Sequence, residues 1–206
     1  MQRLIVNGTE RRLENVPEYW GNLLEWVETD AAGRAEVVTA VRFDDVEQPA
    51  FRHAALGQCP LSELDSIEVE TASKRALIDD ALAHGVMSAH ALAAAAKETT
   101  GMFRNGNVAA ANQRLAEFGD GIRSLLVLVS AVSAACGATL DQLDVSGRTM
   151  SAEVNALVQQ LGTLVEAQQA QDWLTVADIL EYEFEPALGT WRSMFEGLRV
   201  RTAAGA

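Results

Sequence analysis

Basic side chains are scarce: 16 lysines and arginines stand against 29 acidic residues, leaving a net charge of −13. A field of that sign repels phosphate backbones and anionic lipid headgroups, so no nucleic acid and no membrane is expected as a partner. The densest basic group, Arg192, Arg199 and Arg201, suits a helix C-terminus, where cations complement the macrodipole. Cysteine is scarcer still. Cys59 and Cys136 lie far apart without partner motifs, which argues against a disulfide framework or a zinc site and for a reducing compartment. The N-terminal stretch lacks the apolar segment of a secretory signal. The longest apolar run, Leu125 to Cys136, is about 12 residues, short of the roughly 20 that span a bilayer, and reads as a buried helix segment. A cytoplasmic location is expected.

Catalytic patterns are missing as well. There is no Gly-x-Ser-x-Gly and no glycine-rich phosphate loop. No Glu-x-x-His pair occurs, which removes the usual di-metal bundle site. His84 and His90, six positions apart on one helix, point to different faces and do not chelate together; Cys136, in an alanine-rich helix, reads as an inert buried thiol. No catalytic residue, no metal ligand and no cofactor is therefore expected, and a non-enzymatic role is favoured.

What is present is core-forming material: 49% of residues are hydrophobic. Asn7-Gly8 between RLIV and TERRLE tolerates the positive φ of a tight hairpin turn and predicts two antiparallel strands. A helix follows, with Asn15 as cap, Pro17 in its first turn and Gly33 as its left-handed exit. Its stripe is Val16, Tyr19, Trp20, Leu23, Leu24 and Val27. The period then falls to two in AEVVTAVRF, which puts Val37, Thr39, Val41 and Phe43 on one face of a strand. Asp44 and Asp45 supply a turn, Val46 to Phe51 holds an edge strand limited by Pro49, PLSEL holds one helical turn, and Ser66 to Thr71 is a last strand.

That element order resembles the ubiquitin-like β-grasp topology over residues 1–72. The resemblance implies a compact head used for protein contact. The segment carries no Gly-Gly tail for conjugation, since it runs straight into helix, and with Cys59 alone it has no ferredoxin-type cysteine cluster.

From Ser73 onward good helix formers dominate, with Pro186 the sole proline. Four helices are predicted: about Lys74 to Phe103, weakened near His84 and Gly85 and ended by Asn105-Gly106-Asn107; about Val108 to Cys136; about Met150 to Gln169; and one capped by Asp172 reaching about Arg199. The linker from Gly137 to Arg148 is read as loop with one helical turn. The fold class is thus α+β, a β-grasp-like head (1–72) followed by an antiparallel four-helix bundle (73–206).

The fourth helix mixes aromatics with acids. Trp173, Leu180, Phe184, Ala187, Leu188, Trp191, Phe195 and Leu198 fall on one side, read as core, while Asp178, Glu181 and Glu185 fall nearly opposite. Glu183 lies at the border, and Pro186 predicts a kink near it. Beside Asp178 and Glu185, Tyr182 makes an exposed aromatic ringed by acids, suited to a basic protein partner. The partner-binding candidates are therefore Asp178, Glu181, Tyr182 and Glu185, with homo-oligomerisation through the helices as a further expectation. The alternative function is small-ligand binding or catalysis in a cleft between head and bundle, with Trp20, Trp26, Arg42, Arg52 and His53 as its walls.

Overall fold

The computed structural model describes residues 3–13 and 15–204. Its chain divides into two compact units, residues 1–77 and 78–206, and the fold is α+β.

In the first unit, β1 (Arg3–Val6) and β2 (Thr9–Arg11) form the hairpin, turning through Asn7 and Gly8 at φ of 49° and 73°. After helix α1 (Trp20–Gly33) come β3 (Glu36–Phe43), β4 (Val46–Glu47), a short helix α2 (Ala54–Gly57), a 3₁₀ turn (Leu61–Glu63) and β5 (Ser66–Ser73). The sheet order is β2-β1-β5-β3-β4, with β1 and β5 parallel and the other pairs antiparallel. Trp20, Leu23 and Val27 of α1 bury against Val41, Phe43, Ile67 and Val69 of the sheet, each side chain contributing about 1.5–3 kcal/mol. Trp20 meets Phe43 edge to face at 5.1 Å.

Three details of this unit depart from the sequence reading. The helix starts at Trp20, not after Asn15, because Tyr19 is extended and bridges to Pro60, which leaves Val16 outside and exposed. The left-handed residue at its exit is Ala35, φ 57°, with Gly33 still helical. Along β3 a bulge between Val38 and Ala40 changes the alternation, so Val38 is buried and Thr39 exposed; a bulge puts two residues opposite one and reverses which side chains face inward.

The second unit is the helical bundle, entered through α3 (Lys74–Arg104). Ser73 caps α3, its Oγ accepting from the Ala76 N–H at 3.4 Å. After α4 (Val108–Cys136), which stops at left-handed Gly137, the expected loop contains a small hairpin, β6 (Asp144–Val145) and β7 (Arg148–Thr149). Ser146 and Gly147 turn it with positive φ, so the Ser-Gly pair was the signal. Then come α5 (Met150–Gln169) and α6 (Trp173–Ile179), a π-helical turn (Leu180–Phe184) and α7 (Glu185–Ala204).

Cross-contacts fix the directions. Arg114 pairs with Glu98, and Gly121 faces Leu92, so α3 and α4 are antiparallel. Gln168 bonds Asn112, reversing α5 against α4. Arg199 bonds Asp79 while Thr100 bonds the Ala177 carbonyl, reversing the last helix against α3. The result is up-down-up-down around one core that includes Phe118, Phe184, Leu188, Trp191 and Phe195. His84 and Gly85 do not weaken α3: the hydrogen of Gly85 lets the Phe195 ring lie against the helix.

By length and composition α4 is apolar enough to cross a membrane, with mean hydropathy 1.4 over its best window, more than the contiguous run suggested. Glycine, serine and alanine between the large residues break the run but barely lower the average. Its large residues Leu115, Phe118, Ile122, Leu125, Val129 and Val132 form the stripe that packs into the core.

Candidate functional site

Asp172 starts the last helical segment, its carboxylate accepting from the Thr175 N–H at 3.1 Å. Two turns later the backbone widens. Pro186 has no N–H to return to the Tyr182 carbonyl and its ring would strike that oxygen in a regular helix; the π turn absorbs one extra residue there. The expected kink is thus a π-helical turn. It divides the four expected contact residues: Asp178 is next to last in α6, Glu181 and Tyr182 stand in the turn, and Glu185 opens α7.

Three of the four gather around a residue that sequence spacing did not bring forward. Arg104, last in α3 and 74 positions from Asp178, donates to Asp178 Oδ1 at 3.0 Å and pairs with Glu181 at 2.5 Å. The guanidinium pKa is raised above its ordinary value by its bond to the Tyr182 hydroxyl first, then by Asp178. The acidic spot is therefore partly neutralised. Glu183 and Glu185 make no ion pair among the described residues, and Arg104 meets only Asp178 and Glu181. Glu183 is exposed, as is Tyr182 at 66% and Leu174, eight residues earlier, at 66%. Of the expected core side, Leu180, Phe184, Leu188, Trp191, Phe195 and Leu198 are buried, with Trp173 half-buried and stacked on Phe103 at 5.5 Å.

The surface around this turn is carved. A cavity of about 330 Å³ lies between α5 and the turn, lined by Arg148, Glu153, Leu157, Gln160, Tyr182, Glu183, Ala187 and Trp191 among others. Beside it, about 400 Å³ opens between the β6–β7 hairpin and α7, over Pro186, Gly189 and Ser193. On the far flank of α7 a groove of about 320 Å³ is rimmed by His90, Lys97, Glu185 and Arg192.

The head residues weighed as cleft walls are engaged within their own unit. Trp20 is fully buried and donates its indole N–H to the Phe51 carbonyl at 2.7 Å. Arg42 pairs with Glu70 at 2.8 Å and Glu68 at 3.3 Å. Arg52 pairs with Glu28 at 2.8 Å and lies over the Phe51 ring. His53 caps α2, its Nδ1 accepting from Ala55, and Trp26 is partly exposed. Among the described residues no group of three or more His, Cys, Asp or Glu side chains is placed to hold a metal ion.

Fold and surface together define a two-unit α+β protein whose helical unit presents a grooved outer face on its last helix. The chain belongs to the family of the domain of unknown function DUF8042, which matches residues 89–194. That span takes in Arg104, the π turn and the three concavities around it. No curated protein and no solved structure matches the chain.

Proposed function

We propose that this protein is a non-enzymatic interaction module that receives a basic partner on the outer face of its last helical segment. The observation that carries this reading is the exposed Leu174–Tyr182 stripe beside Asp178, Glu181 and Glu183, of which the first two share the Arg104 guanidinium and the third has no ion-pair partner among the described residues. Exposed aromatic area supplies contact energy, and the acidic surroundings steer a cationic partner to it. The strand order of the head supports reading it as a β-grasp unit of the kind used for protein contact, and the two free cysteines, Cys59 and Cys136, support a reducing, cytoplasmic setting.

The test is titration of the ¹⁵N-labelled full chain with an oligolysine peptide. Shifts are expected at Leu174, Asp178, Glu181, Tyr182 and Glu185, weakening as salt is raised. Shifts elsewhere only, or none, overturn the reading. Self-association through the helices is a second reading, favoured by Met87 and Val127, which stand exposed at matching levels of antiparallel α3 and α4. A monomer in sedimentation at high concentration would exclude it.

A further inference from the structure

We propose that the protein pairs with a second copy of itself through the outer side of α4, the two helices lying antiparallel across a two-fold axis at Gly121 and Ile122; the proposal rests on the self-association reading above. Opposite the core stripe of α4 runs a second line of residues, from Ala109 to Ala134, spaced alternately four and three apart and exposed throughout. That spacing is the seam along which two helices stay in contact over a long distance, and here it covers roughly 37 Å of helix. Read backwards, the line repeats its own chemistry. About the axis, Ala109 falls opposite the second copy's Ala134, and Gln113 opposite its Ser130. Nearer the centre Ala116 falls opposite Val127, and Asp120 opposite Arg123.

The charges select this occupant. Asp120 and Arg123 are the seam's sole ionised residues. Within one chain they meet at 3.4 Å while Arg123 is 79% and Asp120 75% exposed, too loose a pair to keep either from another partner. Two chains of charge −13 repel one another, so a contact between them needs a face on which charge cancels. An antiparallel copy makes two Asp–Arg pairs there, whereas a parallel copy would set acid on acid and base on base. The apolar positions supply the contact. The mean hydropathy of α4 is 1.4 over its best window, yet only 28% of that window is buried. Val127 is 65% exposed, and Met87 of α3, at its level, is 69% exposed. Gly119, beside the axis, has no role inside the chain: a Cβ there would meet nothing within 4 Å, although alanine is the better helix former. Its bare backbone lets a second helix approach.

The experiment is sedimentation equilibrium of the full chain and of two charge variants, Asp120→Arg and Arg123→Asp, both at exposed positions. The parent is expected to be dimeric at high concentration. Each variant alone turns both ion pairs into like-charge contacts and should weaken association about tenfold or more, a loss that shrinks as salt is raised. Mixing the two variants sets arginine against aspartate at both points and should restore the dimer. If the variants dimerise as tightly as the parent, or the mixture stays as weak as its components, the α4 pairing is overturned while self-association through another face stands. A monomeric parent overturns both. So does a monomeric parent that co-sediments with phosphatidylcholine vesicles, which would assign the outer side of α4 to a lipid surface.

Discussion

Gly85 shows how one absent methyl group sets a packing distance. A Cβ built there would lie 3.0 Å from three atoms of the Phe195 ring, which is fully buried and has nowhere to go. Alanine is intrinsically better in a helix by about 1 kcal/mol, but overpacking a closed core costs about 1–3 kcal/mol. Gly85→Ala is therefore expected to destabilise in urea unfolding, and to do so less in a Phe195→Leu background, where the ring is gone. Gly162 in α5 is the control: a Cβ there meets nothing within 4 Å, so Gly162→Ala should stabilise by about 0.5–1 kcal/mol. A loss at both sites would mean that backbone effects, not the Phe195 contact, decide.

At the scale of elements, the last helical segment carries its own irregularity. The core positions Ala177, Leu180, Phe184, Leu188, Trp191, Phe195 and Leu198 are spaced 3, 4, 4, 3, 4 and 3 apart. The six steps together span 21 residues, the same as a strict alternation of threes and fours, so the core spacing calls for no inserted residue and the π turn answers to Pro186 instead. The wide turn also separates the Pro186 ring from the Tyr182 carbonyl. Proline in a regular helix interior costs about 3 kcal/mol; here Pro186→Ala should gain less than about 1 kcal/mol in urea unfolding, because the wide turn already relieves the clash with the Tyr182 carbonyl. A gain near the full amount would show that the turn leaves the proline clash unrelieved.

For the molecule as a whole, the acidic composition sets the response to pH, and each unit contains a carboxylate that folding makes more acidic. In the head, Glu36 is lowered by the Thr71 hydroxyl at 2.7 Å first and then by Arg34; Thr71 is itself held by the Asn7 side chain. In the helical unit, Asp172 is lowered by the Thr175 backbone first and then by its hydroxyl. A depressed pKa contributes stability that is complete above the ordinary values, 4.5 and 3.8, and is lost as pH falls through them toward the folded values. Urea unfolding followed from neutral pH downward should show Glu36→Gln losing less stability than the parent below about pH 4.5; parallel curves would exclude a folding-linked proton at Glu36.

Asn7-Gly8, the change of period near Ser73, the Asp172 cap and the sequence-long helix formers determined the hairpin, the two kinds of structure and the helix count, because each depends on backbone preference or on the spacing of nearby side chains. The β6–β7 hairpin was also written there, in a Ser-Gly pair that a helix-period reading passes over. Local pattern did not contain the Thr39 bulge or the late start of α1, which depend on pairing to β5 and on the bridge to Pro60. The candidate surface divides in the same way. The exposure of Tyr182 and its acidic company followed from helical geometry, but the neutralising Arg104 was decided by tertiary structure alone. Hydrogen bonding and ion pairing act over a few ångströms, and only the antiparallel packing of α3 and α5 against the last helix brings residues so distant in sequence within that range.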